Sequence, residues 1–446
     1  LIWITRAAAG LAAVIIFIFG MLLPAESRVY IDISQPFLKK IPVAVTDFVP
    51  IVPGAESPAE LSQGLPGRLG RNLDVTGMFV VLDKRTFLEG DARAGMGEAS
   101  KINFREWLAI GSELLVKGAF SLIGDELTLE LRLFDVFEGR MMLGKRYVGH
   151  KDTARLMINR FTNEILYLLT GEPGIFGTQI AFVGMSGGHK EIFLTEFGGE
   201  EAVQLTNNRD DSTWPVFSPD GGKIAYLTRR NRSYELRMLK LGAGEQILYS
   251  GEALHLTPCF TPSGGLMAAV SGKYDTNIFL LDPQGGKPVP VTNSWGINIS
   301  PTLSPDGSQM AFVSNRAGGA QIYVAPANGG PARRLTMEGK ENTDPQWSPR
   351  GDRIVFVGLS EGGEFNIYTI NPDGSDLQQL TQGAGHNTRP TWSPDGRMIT
   401  FASTRNGRSQ IFTMSANGER QTPLLPDYKG VQFSPCWSQA KPERPR

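Results

Sequence analysis

The chain has 446 residues, 41% of them apolar, and a formal net charge of −1. That length exceeds one ordinary core, so two or more domains are expected, and the near-zero charge excludes a global basic field for nucleic acid. Glycine (52 residues) and proline (29) are abundant without a collagen-like period, which predicts many turns between short strands.

Arg6 opens a targeting signal, residues 7–23 are an almost continuous apolar run, and Pro24-Ala25-Glu26 ends it. These are the three parts of a signal peptide covering residues 1–25, with cleavage after Ala25. An uncleaved membrane anchor is the competing reading of a run this long. No second apolar stretch of spanning length follows, so the mature protein is expected outside the cytoplasm, with no membrane insertion after cleavage. Residues 26–40 are polar with scattered apolar positions and read either as a mobile arm or as an edge strand over 29–33. Residues 41–172 then form an α+β domain. A helix is predicted over 57–73, a strand over 79–82, and a hairpin of 114–123 with 126–137 around Gly124-Asp125. Leu127, Leu129, Leu131 and Leu133 alternate strictly, which buries one face of the second hairpin strand. A third strand is predicted over 141–148. Asp152 caps a helix that runs to Leu169 and stops at Gly171, with Ala154, Ile158, Phe161, Ile165, Leu168 and Leu169 on its apolar face.

The remaining chain repeats. Phe217-Ser-Pro-Asp-Gly, Phe260-Thr-Pro-Ser-Gly, Leu303-Ser-Pro-Asp-Gly, Trp347-Ser-Pro-Arg-Gly and Trp392-Ser-Pro-Asp-Gly recur at spacings of 43, 43, 44 and 45 residues. In each, proline presets φ and glycine takes the positive φ of a tight turn between two strands. Two further strands complete a unit that ends near Leu-Thr, as at Leu335-Thr336 and Leu380-Thr381. Four short strands in about 43 residues is one propeller blade. Gln179-Ile-Ala-Phe-Val lacks a preceding first strand, and Pro435-Cys-Trp-Ser438 has no blade after it. The second should complete the first, giving a six-bladed all-β propeller over 175–438, closed by residues 435–438, with a tail at 439–446. Cys259 and Cys436 then fall in blades three and one, too far apart for a disulfide.

Catalytic and metal motifs are sparse. Gly184-Met-Ser-Gly-Gly188 matches G-x-S-x-G but sits in a hairpin loop, not on the strand-to-helix elbow that a nucleophile needs. His150, His189, His255 and His386 are never at ligand spacing. Asn371-Pro-Asp-Gly-Ser-Asp376 lacks the carboxylates of a calcium loop and reads as a turn. No cofactor motif is present. The aromatic residues Phe217, Phe260, Trp347, Trp392 and Trp437 read as packing between blades, and Arg316 and Arg405 as structural. Function is expected in the polar loops that enter the innermost strands and ring the channel mouth. Their candidates are Asn207 and Asn208; Leu254, His255 and Thr257; Asn298 and Ser300; Asn342 and Thr343; and His386, Asn387 and Thr388.

The order of parts, with Trp392-Ser-Pro-Asp-Gly396 as the cleanest repeat and Pro435-Cys-Trp-Ser438 as the closing strand, resembles the TolB family of the Tol–Pal system. The resemblance covers nearly the whole mature chain. It implies a non-catalytic periplasmic adaptor and a monomer. The lipoprotein Pal would dock over the channel mouth, through loops that include Leu254, Thr257 and Ser300. TolA would bind the arm, with Arg28, Tyr30, Ile31, Asp32 and Ile33 as candidate contacts. It also implies roles in outer-membrane integrity and cell division, and contacts with other envelope proteins or bacteriocin segments. The alternatives are the propeller of an exported peptidase-type enzyme and a carbohydrate-binding envelope protein.

Overall fold

A computed structural model describes residues 40–88, 96, 99–231, 233–251, 254–284 and 286–439. The expected signal segment and arm lie outside the described residues, apart from Lys40.

The first part is a six-stranded sheet with helices packed on it. Its strands are β1 (Ile41–Val45), β2 (Val49–Pro50), β3 (Phe79–Val81), β4 (Leu114–Ile123), β5 (Glu126–Asp135) and β6 (Arg140–His150). They lie in the order β3-β1-β4-β5-β6, with β2 beside β4. The β1 strand pairs parallel to both neighbours, while β4, β5 and β6 form an antiparallel meander. The alternating leucines of β5 are fully buried, as period-two patterning requires. Gly118 lets the sheet approach Phe48: a Cβ there would sit 2.5 Å from the ring. Gly118→Ala is therefore expected to cost about 1–3 kcal/mol by overpacking, read as a lower urea midpoint, and an unchanged midpoint would refute the close approach.

Local chemistry moves the starts of two predicted helices, and a third helix appears that the sequence analysis does not predict. The helix expected over 57–73 opens as a π-helical turn, Glu60–Gly64, and continues as α1 (Leu65–Val75) with Pro66 in its first turn, where a missing N–H costs nothing. A short helix, α2 (Phe104–Ala109), carries Trp107 into a cluster with Leu115, Phe134 and Val136. The last helix, α3 (Ala154–Thr170), starts after a 3₁₀ turn, Lys151–Thr153, and Asp152 does not cap it. Gly171 ends α3 at φ 72°, and Leu168 points to solvent while Ile158, Phe161, Ile165 and Leu169 are buried.

The second part is six four-stranded antiparallel sheets arranged as a propeller. Blade 1 takes its innermost strand, Gln432–Trp437, from the C-terminal end and pairs it with Gln179–Ser186. That closure leaves no open edge between first and last blade. The expected turns form: Gly221, Gly264, Gly307, Gly351 and Gly396 all have positive φ. Trp347, Trp392 and Trp437 are buried between blades.

Buried amides stitch neighbouring blades. In blade 5, Thr381 accepts from the Ile367 N–H (2.9 Å) and donates to Asn366 Oδ1 (3.0 Å). Asn387, the first residue of the innermost strand of blade 6, donates to that same oxygen (3.4 Å). The arrangement recurs with Thr336, Gln321 and Asn342, and with Thr292, Asn277 and Asn298. Between blades 6 and 1 a leucine, Leu425, is buried where the threonine would be. There the longer Gln432 reaches the Ile411 N–H itself, at 2.8 Å. Each of these four seams thus satisfies a buried N–H that would otherwise cost about 1–3 kcal/mol. Arg405 and Arg316 support these amides from above aromatic pairs, donating to Asn387 (3.1 Å) and Asn298 (2.9 Å).

The two ends of the propeller differ. At the end carrying the Ser-Pro-Asp-Gly turns, blades 6 and 1 meet the α+β part. Lys40 pairs with Glu419 (2.9 Å), Arg420 donates to the Asp74 carbonyl (2.7 Å), and Asn163 bonds both backbone groups of Phe176 (2.9 and 3.1 Å). The other end is the rim from which the innermost strands start.

Candidate functional site

A channel of about 440 Å³ runs between the six innermost strands. Each of those strands carries a β-bulge near its rim end. At each bulge the residue before a proline takes positive φ: Trp214 (53°), Thr257 (42°), Ser300 (53°), Asp344 (49°), Arg389 (55°) and Ser434 (44°). Non-glycine residues rarely adopt this conformation, and a following proline disfavours helical values further. Six at equivalent places therefore form a ring of held strain, of the kind that concentrates at functional sites. The bulge turns these side chains into the channel, which all six line.

The ring is polar on all but one side. The Thr257 and Ser300 hydroxyls are 2.9 Å apart. Arg389 Nε lies 3.5 Å from Asp344 Oδ2, and its guanidinium sits 5.3 Å from the Trp214 ring centre. Arg389 and Asp344 are about one-fifth exposed, so their charges are partly withdrawn from water. On the rim above the ring, Trp295 (83% exposed), Tyr274 (75%), Met337 (71%) and Ile297 (46%) are bare to solvent. Thr276, two residues after Tyr274, forms an isolated bridge with Ile297.

The residues expected at the mouth separate into groups. Thr257 and Ser300 are in the ring. Asn207 and His386 are exposed, and Thr343 and Thr388 half-buried. The His386 ring leans on Phe365 at 5.7 Å. Asn298, Asn342 and Asn387 do not face a partner: they are buried and form the blade seams. The reason is register, since each strand begins with its first side chain turned into the seam between blades. Asn208 is likewise occupied, donating to Ser212 and Tyr226 (both 3.2 Å) and accepting from Arg237 (3.3 Å). For Leu254 and His255 the strand backbone is described. Counted back from the bulge proline, His255 stands where Asn298, Asn342 and Asn387 stand and Leu254 where His386 stands, but the pairing in blade 3 is shifted, with Leu254 opposite Val270 and His255 opposite Ala269. Trp214, Asp344, Arg389 and Ser434 were not singled out from the sequence. The signal was present, because each precedes a proline at spacings of 43 to 45 residues.

Cys259 and Cys436 also line the channel, as free thiols. Burial pushes Cys259 up to about 12 and Cys436 up to about 11. The thiolate is the reactive form, so neither should react with iodoacetamide at pH 8 in the folded protein, and both should after denaturation. Fast labelling of the native protein, read by mass spectrometry, would contradict this.

Ser186 of the G-x-S-x-G match lies opposite His189 in a β-hairpin of blade 1, so the elbow is absent. Among the described residues, no group of three or more His, Cys, Asp or Glu is arranged to hold a metal ion. Among the same residues, no helix is long and apolar enough to cross a membrane.

Comparison with known proteins places this architecture. Residues 167–441 match the model of the TolB beta propeller domain, and residues 29–142 match that of the TolB amino-terminal domain. The chain belongs to the TolB family. A TolB homolog from Chlorobium luteolum is 34% identical over 97% of this chain and 98% of its own length. A Tol-Pal system protein TolB from Desulfosudis oleivorans is 40% identical over 60% of each chain. One from Syntrophus aciditrophicus is 38% identical over 46% of each, so these two TolB relatives are matched over about half of their length. The crystal structure of TolB from Acinetobacter baumannii superposes with a TM-score of 0.77, covering 90% of this chain and 97% of that one at 23% identity. At that identity the likeness to the Acinetobacter TolB speaks for the fold.

Proposed function

We propose that this protein is a component of the Tol–Pal system of the cell envelope, a periplasmic adaptor without catalysis of its own. Membership of the TolB family supports the system, and the rim end of the propeller supports the mode of action. That end carries exposed aromatic residues above a strained polar ring, while the α+β part occupies the opposite end. Protein partners favour such surfaces, where aromatic residues supply contact area at low entropic cost. In this reading the lipoprotein Pal docks over the ring and the rim. TolA takes the segment before β1, through Arg28, Tyr30, Ile31, Asp32 and Ile33. Outer-membrane integrity and division depend on the two contacts together.

The single observation that carries the docking face is the ring at the bulges, because its strain persists only where the surrounding structure enforces it. Calorimetric titration of the full chain with the soluble domain of the Pal lipoprotein from the same organism tests the reading. Saturable 1:1 binding, weakened at least tenfold by Trp295→Ala or Ser300→Tyr, is expected. No heat and no co-elution at micromolar concentrations would remove the adaptor assignment and leave the fold.

A further inference from the structure

Arg389 is held more loosely than three other arginines of the propeller. Arg405 places Nε 2.9 Å from Ser403 and Nη2 3.1 Å from Asn387. Arg316 makes the matching contacts to Ser314 (2.9 Å), Ser294 (3.0 Å) and Asn298 (2.9 Å). Arg237 is shared between Glu235 (2.6 Å) and Glu245 (2.7 Å). Arg389 has one polar contact, Nε to Asp344 at 3.5 Å, beyond the 2.7–3.2 Å of a normal N–H···O bond. Its fork of five donors therefore faces the channel with little to hold.

The surroundings describe what would fill it. Trp214 supplies a flat face under the guanidinium at 5.3 Å, which fixes its plane. The Thr257 and Ser300 hydroxyls pair with each other across the same ring, and each can turn to a new acceptor. Asp344 shows the class of group that the fork accepts, a carboxylate, and holds it through one nitrogen at long range. A carboxylate placed squarely on the fork would make two short, charge-assisted bonds in its place.

We infer that the channel ring is a carboxylate-recognition subsite, in which an acidic group from a bound protein segment displaces Asp344 from the Arg389 guanidinium. This deepens the adaptor reading, because the segment enters from the rim where a partner docks. A neutral segment would leave the Arg389–Asp344 pair in place, so the subsite adds selectivity for acidic or chain-terminal groups. The group is either an Asp or Glu side chain or a free C-terminus, and both present the same planar anion.

The full chain, labelled with ¹⁵N-arginine, tests this by the Nε–H signal of Arg389, identified by its loss in Arg389→Lys. Three probes separate the sources: N-acetylglycine for a chain terminus, N-acetylaspartic acid N′-methylamide for a side chain, and the matching asparagine amide as neutral control. A saturable shift with either acid and none with the amide is expected, and the tighter acid names the source. Asp344→Asn removes the internal competitor without changing shape and should tighten the acid several-fold. No saturable shift, an equal shift with the amide, or an unchanged affinity in Asp344→Asn would overturn the inference. The outcome is separable from that of the lipoprotein titration. Binding of the lipoprotein domain without any response to acids defeats the subsite alone, and the reverse defeats the adaptor reading alone.

Discussion

Trp437→Ala is expected to destabilise the protein by about 3–5 kcal/mol, the range for emptying a large buried aromatic site. Trp437 is 1% exposed, lies 4.9 Å from the Phe197 ring, and donates from Nε1 to Thr178 Oγ1 at 2.8 Å. It also belongs to the strand that closes the ring, so its cavity opens at the seam joining the two ends of the propeller. Against a total stability of about 5–15 kcal/mol for a domain, the loss would leave a marginal fold. Urea unfolding is the measurement, with Trp295→Ala as control, because Trp295 is 83% exposed and should shift the midpoint little. Trp437→Phe keeps most of the volume and loses the Thr178 bond, so it should cost about 1–2 kcal/mol. Equal midpoints for Trp437→Ala and Trp295→Ala would show that closure does not rest on this side chain.

Asn387→Leu is expected to cost about 2–4 kcal/mol, although leucine has the same branching and number of side-chain heavy atoms as asparagine. The penalty comes from the groups left behind. Asn387 donates to the carbonyls of Phe365 (3.4 Å) and Gly385 (3.0 Å) and to Asn366 Oδ1 (3.4 Å), and accepts from Arg405 Nη2 (3.1 Å). All of this happens at a fully buried position. An Asn387→Leu, Asn366→Leu double-mutant cycle measures the coupling. The pair should be less destabilising than the sum of the singles, because the second change removes a partner already orphaned. Strict additivity would mean that the two amides do not act together across the blade 5 to blade 6 seam.

These two residues also divide what was legible from what was not. Trp437 was visible as the sixth member of a repeat, continuing the spacing of Trp347 and Trp392, and its role in closing the first blade followed from the missing strand. Asn387 is also visible, but as a polar residue in a loop, which points to the rim. A side chain's polarity does not say which way it points. The one-residue register at the head of the strand put it inside the seam.

The sequence by itself determined the elements whose signal is local and periodic. The leucines of β5, the Pro-Asp-Gly turns, the six blades and the place of the two thiols all follow from spacing, because strand alternation and turn chemistry act over a few residues. It did not determine β1 as the central parallel strand, because Ile41–Val45 is short and pairs with residues far along the chain. Nor does it single out the channel ring as a unit, although all six members stand before a proline at the repeat spacing. Trp214, Asp344 and Arg389 lie in three different blades, and only closure of the ring brings them within reach of one another. Their joint charge and strain are properties of that closure: a bulge aims each side chain inward, and the six-fold arrangement makes the aims converge.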